Sequence, residues 1–419
     1  MAPDARTGGH GVEIRRRDGG NVNLGAGDRY SPFGFGPSGG QLMLAGRRVL
    51  IDASMVTRGG GYTYLVNIVP LLAAAAPEAA FLVLVRSQSL IRAIAPAENV
   101  EVRALPVRGL LGRFAFLVFS SAKLTKEWGA DVYFSVAEYA PRASSCPVVV
   151  SLRNANIFTT LDLGWGPYQK TRLRLLGYLA RAAVKSASRV IFVSRDSAAW
   201  MGDAAKVVPG KRVVIHHGAD VERWREEIAR EPRRGSVGIL TLSSVYRYKN
   251  CVRLVEAYCE LARRVPDLPP LTIVGDDQDS RHSEHLRQAL LKAGSLAERI
   301  RWVGAVPYEE VVAYYRDAVL FVFPSYLETF GHPLLEAMAA ELPVVAADIP
   351  VFREIAGDSA IYVDPFDVKA MADGIGEVLA NPELAKKLAD SAHVRALDFT
   401  WEITADRLIA LLEDVIDQG

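Results

Sequence analysis

Cysteine is scarce in this chain. Three residues, Cys146, Cys251 and Cys259, cannot staple a fold of 419 residues, and none has metal-site spacing or a nucleophile's surroundings. They read as small buried apolar side chains in a reduced, cytoplasmic setting. Long apolar runs are also missing. Phe81–Val85 and Leu320–Phe323 are strand-sized, well short of the roughly 20 residues that cross a bilayer. No apolar stretch follows a basic start, so no signal peptide is expected. Charge of one sign is not in excess: Lys+Arg 49 against Asp+Glu 48 leaves +1, which speaks against a polycation that coats nucleic acid. What remains is half hydrophobic and 23% charged, a globular composition long enough for two or three domains.

Residues 1–45 are rich in Gly, Arg, Asp and Ser, with apolar residues scattered without a period. Such a stretch buries too little surface to offset its ordering entropy and is read as a disordered extension. Met43, just before the first good strand, is an alternative start. From Gly46 onward strands and helices alternate. Strands are expected at Arg48–Asp52, Phe81–Val85, Val100–Leu105, Asp131–Ser135, Pro147–Leu152, Arg189–Val193 and Arg212–Ile215, with long helices at Tyr62–Ala76 and Gly166–Ser186. Residues 222–236, charged and broken by Pro and Gly, read as a linker. Six further strands lie between Val237 and Val363, with helices between most of them. The fold class is therefore α/β, as two doubly wound parallel-sheet domains facing a cleft. The expected boundaries are 46–225, 236–395, and a C-terminal helix in 396–419 able to cross back to the first domain.

The densest signal is Pro324-Ser-Tyr-Leu-Glu-Thr-Phe-Gly-His-Pro-Leu-Leu-Glu-Ala-Met-Ala339. It leaves a strand's carboxyl end, where ligands of such sheets bind. It then turns at Gly331 and enters a helix at Pro333. Free amides at that helix start suit a phosphate. Glu328 and Glu336 do not, and are better placed to accept hydrogen bonds from sugar hydroxyls. Lys249, in Ser243-Ser-Val-Tyr-Arg-Tyr-Lys-Asn250, stands at the first strand-to-helix turn of the second domain, an apt place for a cation facing a pyrophosphate. Gly59-Gly60-Gly61 holds the matching place in the first domain, where glycine lets backbone approach a ligand closely.

These segments, with Leu342-Pro-Val-Val345, Asp348 to Glu354 and Ala360 to Pro365, resemble glycosyltransferase family 4, retaining sugar-nucleotide enzymes of the GT-B fold. The resemblance implies that Glu336 holds the ribose and Glu328 contacts the transferred sugar. Phe330, Gly331 and His332 would line that sugar and its phosphate. Lys249 would bind the diphosphate, with Arg247 standing in for an arginine that the family places where this chain has Ser244. Gly60 and Gly61 would approach the diphosphate or acceptor. Gly275, in Val274-Gly-Asp-Asp277, and Val306, in Val303-Gly-Ala-Val306, would lie where the base is held. One position departs from the family: Arg153-Asn154 replaces a histidine near the reacting sugar, and both residues are candidates for holding sugar or acceptor. His216-His217 lies in the interdomain segment and reads as structural, because no partner completes a metal site.

What the resemblance implies is transfer of a sugar from a UDP- or GDP-sugar to a glycan or polyprenyl-linked acceptor, in building a cell-surface polysaccharide. The leaving phosphate takes the acceptor's proton, so no metal ion and no other cofactor is expected. Two alternatives stand beside it: a small soluble glycoside as product, or a nucleotide-sugar binder without catalysis. Charge bears on the acceptor. Residues 46–230 hold 25 basic and 14 acidic side chains, residues 231–419 hold 19 and 30. No acid occurs between Asp162 and Asp196, where Lys170, Arg174, Arg181 and Lys185 share a helical stripe, and Arg108 to Phe119 adds apolar bulk beside cations. Such a surface suits anionic lipid on the inner face of the plasma membrane.

Overall fold

A computed structural model describes residues 44–56, 59–105, 112, 115–141, 144–231 and 237–419. The expectation for residues 1–45 falls outside it apart from Leu44 and Ala45, and Leu44 is packed into the first core. Of the Arg108–Phe119 stretch, residues 108–111, 113 and 114 also lie outside.

The first half carries a seven-stranded sheet: β1 Arg48–Asp52, β2 Ala80–Val85, β3 Val100–Ala104, β4 Val132–Ser135, β5 Val148–Leu152, β6 Arg189–Phe192 and β7 Arg212–Val214. Its order is β3-β2-β1-β4-β5-β6-β7 and every pairing is parallel. Its helices are α1 Gly60–Ala75, α2 Gln88–Ala93, α3 Ser121–Trp128, α4 Pro167–Ser186 and α5 Arg195–Ala204. The second sheet has β8 Gly238–Leu242, β9 Leu271–Val274, β10 Ile300–Gly304, β11 Ala318–Phe323, β12 Val344–Ala347 and β13 Ile361–Val363, in the order β10-β9-β8-β11-β12-β13, again all parallel. Around it lie α6 Val221–Ala229, α7 Cys251–Ala262, α8 Ser280–Lys292, α9 Tyr308–Asp317, α10 His332–Ala339, α11 Pro350–Ala356, α12 Val368–Ala380 and α13 Pro382–Ala396; α14 Trp401–Asp417 ends the chain.

Strands such as Val49-Leu-Ile51 and Leu320-Phe-Val-Phe323 are apolar at successive positions because helices cover both faces of each sheet. Val49 and Ile51 face one core cluster and Leu50 the other. In each sheet the strand order reverses beside the first strand, between β1 and β4 and between β8 and β11. Crevices at such switch points, outside the strands' carboxyl ends, are where open α/β sheets bind ligands.

Two features differ from expectation or extend it. The charged stretch read as a linker is helical at Val221–Ala229. Asp220 caps it through the Arg223 amide, and Val221, Trp224 and Ile228, spaced along one helical face, enter the second core. Its charges occupy the other face, so composition concealed an amphipathic helix; residues 232–236 lie outside the description. The last helix, α14, packs its Trp401, Leu408, Ile409 and Leu412 into the first core against α1. It is anchored there by Arg189 and Arg47, which pair with Asp414 at 3.3 Å and Asp417 at 2.8 Å. The chain thus crosses between the halves twice, at Ala219 and at Thr400, and the two crossings pair with each other.

Candidate active site

The loop after β11 and the turn after β8 meet first. Lys249 and Glu328, 79 positions apart in sequence, form a mostly buried ion pair. Burial opposes the lysine's charge, but the Glu328 carboxylate, helped by Tyr248, outweighs it and lifts the ammonium pKa above its ordinary value. A fixed cation and a fixed carboxylate therefore stand side by side. Gly331 follows with φ of +98°, and a side-chain carbon there would lie 2.9 Å from the Phe352 ring, so both backbone conformation and space require glycine. That turn starts α10 and swings Glu336 inward. Glu336 is buried and accepts from the Tyr315 hydroxyl at 3.0 Å. Burial raises its carboxyl to about 7, against a smaller lowering by Tyr315.

Glu336 and His332 line a cavity of about 510 Å³ whose other walls come from Tyr62 and Val66 of α1, Val312 of α9 and Trp401. It lies between the two halves and is large enough for a nucleotide-sized ligand. His332 stands where this cavity meets the Lys249–Glu328 pair. A side-chain carbon on Gly60 would lie 3.5 Å from its ring. Burial, then the charges of Arg153 and Lys249, lower its pKa to about 4, and its Nε2 is buried without a partner. Gly60 and Gly61 open α1, two residues earlier than the sequence pattern placed its start.

The first half answers with Arg153. Its guanidinium lies 3.7 Å over the Tyr64 ring, Nε donates to Ser151 Oγ at 2.8 Å, and Nη1 is buried without a partner. Burial depresses the pKa of this guanidinium. The amides of Arg153 and Asn154 both donate to Glu138 Oε1, at 3.1 and 2.8 Å, so Glu138 fixes the turn after β5. Thr329 of the second half donates to the Arg153 carbonyl at 3.0 Å. Asn154 accepts from the Asn156 amide and caps a short turn. His217 packs edge-on to Tyr64 and Phe330 and 4.6 Å from the His332 ring. Burial and then Arg153 hold His217 well below its ordinary pKa, so the ring is neutral packing between the halves. His216 bonds Glu354 at 2.7 Å.

Around His332 the structure brings together Gly60, Arg153, Lys249 with its partner Glu328, Phe330, Gly331 and, one turn along α10, Glu336; Asn154 caps the turn after β5, and Gly61 packs on Val56. The other three candidates make different contacts. Arg247 turns toward Gly164 and lines a different cavity. Gly275 is a packing glycine, since a side-chain carbon there would lie 1.8 Å from the Ser243 carbonyl. Val306 packs on the second core. Sequence reading passed over Glu138, Tyr64 and Tyr315. Only the first carries a signal, its place just after a strand's carboxyl end; the others belong to helices and converge through folding.

Two parallel-sheet domains built this way are those of the GT-B glycosyltransferases. One family model, glycosyltransferase family 4, matches residues 58–223, and a second, glycosyl transferases group 1, matches 222–395. The chain belongs to glycosyltransferase family 4. It is 30% identical over 211 residues to D-inositol 3-phosphate glycosyltransferase of Corynebacterium urealyticum, a match covering 47% of this chain and 50% of that one; the chain thus spans about half the length of that curated relative. Phosphatidyl-myo-inositol mannosyltransferase of Mycobacterium tuberculosis is 26% identical over 340 residues, covering 75% and 82%. Among solved structures, HepE of Anabaena in complex with UDP and glucose superposes with a TM-score of 0.66 at 20% identity, covering 88% of this chain and all of that one.

Proposed function

We propose that the protein is a retaining glycosyltransferase that moves a sugar from a nucleotide-sugar to a glycan or lipid-linked glycan in cell-surface polysaccharide assembly. The carrying observation is that the Lys249–Glu328 pair, Gly60 and Arg153 gather around His332, which with Glu336 lines the cavity between the halves. Related proteins named as inositol-phosphate glycosyltransferases and mannosyltransferases, and the UDP and glucose held by HepE, favour this reading.

In this reading Glu336 accepts from the ribose hydroxyls, and Glu328 accepts from a sugar hydroxyl. The acceptor oxygen bonds to the anomeric carbon while the bond from that carbon to the phosphate oxygen breaks. The leaving diphosphate takes the acceptor's proton. Lys249 stabilises the charge gathering on the diphosphate, and the cleft acts by positioning and electrostatics, without a protein base or a metal. Arg153, in the place of a histidine, offers its unpartnered Nη1 to sugar or acceptor.

Calorimetry with UDP, GDP and ADP tests the donor site. One nucleotide should bind, and Glu336→Ala should weaken it by about tenfold or more, as expected for losing a hydrogen-bonded charge. Undiminished affinity in that variant would place the donor elsewhere.

A membrane-facing acceptor side is favoured by α4. Its exposed face carries Tyr168, Leu175 and Tyr178 along one edge and Lys170, Arg174, Arg181 and Lys185 along the other, with no acid on the helix. No helix among the described residues is long and apolar enough to cross a membrane. Flotation with anionic vesicles checks this surface.

A further inference from the structure

A second cavity, of about 570 Å³, opens on the other side of the Lys249 turn. Its walls are residues 162–165 and Lys170 from the first half, and the N-terminal turns of α7 and α8 from the second. Three carboxylates reach it. Two are already engaged: Asp279 caps α8 through the His282 amide at 3.3 Å, and Asp162 accepts from the Gly164 amide at 3.1 Å and lies 3.9 Å from Lys170. Arg253 is also engaged, donating to Asn250 Oδ1 at 3.0 Å beneath the Phe366 ring.

The groups left over are mostly donors. Arg247 and Arg281 line the cavity and make no ion pair within 4 Å among the described residues. His282 is 8% exposed and its Nε2 has no partner, and the Trp165 Nε1–H beside it has none either. Burial lowers the His282 pKa to about 4, so near pH 7 the ring is neutral and able to donate from Nε2. Glu256, the third carboxylate, makes no ion pair within 4 Å among the described residues. The start of α7, which has no side-chain cap, adds positive potential from its amides. Donors on several sides, with unsatisfied buried nitrogens among them, suit a ligand that only accepts hydrogen bonds and is negatively charged.

We propose that this cavity binds a phosphate group of the acceptor, clamped between the two halves and separate from the donor cleft. The inference rests on the glycosyltransferase reading above. Lys170 belongs both to this cavity and to the exposed face of α4. A phosphate carried on a lipid therefore reaches the cavity from the surface that bears Tyr168, Leu175 and Tyr178. It also explains why Arg247 points away from the Lys249–Glu328 pair.

Calorimetry on the full chain tests this with three probes: a short isoprenyl phosphate, a sugar 1-phosphate and inorganic phosphate. Arg281→Gln changes an exposed side chain outside the donor cleft. It should weaken phosphate binding by about tenfold while nucleotide affinity stays unchanged. Glu256→Gln removes the opposing charge and should tighten binding by about two- to threefold. An isoprenyl phosphate that binds well above inorganic phosphate assigns the group to a lipid carrier; equal affinities assign it to a free phosphate. Phosphate affinities indifferent to both substitutions, or no binding of any probe to the unsubstituted chain, would overturn the site. Loss of nucleotide binding by the unsubstituted chain would instead overturn the donor reading, which keeps the two failures apart.

Discussion

Glu336 shows how one buried side chain ties stability to ligand binding. Its carboxyl is held near 7 where an ordinary glutamate has 4.5, so the folded state binds its proton more tightly than the unfolded state. Below about pH 4.5 both states are protonated and nothing is lost. As pH rises from there through 7 the folded state must ionise a buried group, and about 3 kcal/mol of stability disappears. Glu336→Gln keeps the shape and removes the titration. By chemical denaturation the variant should match the unsubstituted chain at pH 4 and exceed it at pH 8 by up to about 3 kcal/mol. Equal stabilities at pH 8 would show that the carboxyl titrates normally. Nucleotide affinity should move the other way, rising with pH through 7, because the ionised carboxylate is the better acceptor for ribose hydroxyls. The segment from Pro324 to Ala339 marked Glu336 in the sequence, but not the Tyr315 hydroxyl or the burial that shifts it.

At the scale of elements, local pattern carried far. Strands such as Phe81–Val85 and Leu320–Phe323 were legible from unbroken apolar runs, because parallel sheets bury both faces. The helix Val221–Ala229 was not, since its charges outnumber its three apolar anchors and only the second core reveals their common face. Helix α4 is the element whose function is most testable. Tyr178 is 62% exposed and Leu175 52%, so Leu175→Ser with Tyr178→Ser removes no core contact. The double variant should keep its melting temperature. Its partitioning onto anionic vesicles should fall severalfold, and Arg174→Gln with Arg181→Gln should do the same in a salt-dependent manner. Flotation unchanged in both pairs would remove the membrane surface from consideration.

Across the whole molecule the halves are joined by a small set of hydrogen bonds. Glu354 on α11 accepts from the Arg195 and Asp196 amides at the start of α5, at 2.8 and 3.1 Å, and from His216 at 2.7 Å. Burial disfavours its charge, but these donors outweigh that and hold its carboxyl below the usual range. Ser194 donates across to the Thr329 carbonyl at 2.7 Å. Glu354→Ala leaves two helix-start amides and a histidine unpaired at the junction, a loss of about 2–3 kcal/mol. Thermal denaturation should register it, and scattering without nucleotide should show a larger radius of gyration than the parent chain. An unaltered radius with unaltered stability would mean that Glu354 does not hold the halves together.

The sequence by itself determined the alternation of strand and helix, the glutamates and lysine at strand ends, and the opposed charge of the two halves. Each of these rests on near neighbours or on simple counts. Only the tertiary structure decided that Lys249 meets Glu328, that Arg153 reaches the same cleft with a nitrogen unspent, and that Arg247 faces another cavity altogether. Those outcomes depend on how two sheets approach across a double chain crossing, and on which way a side chain turns when its neighbours come from residues scores of positions away.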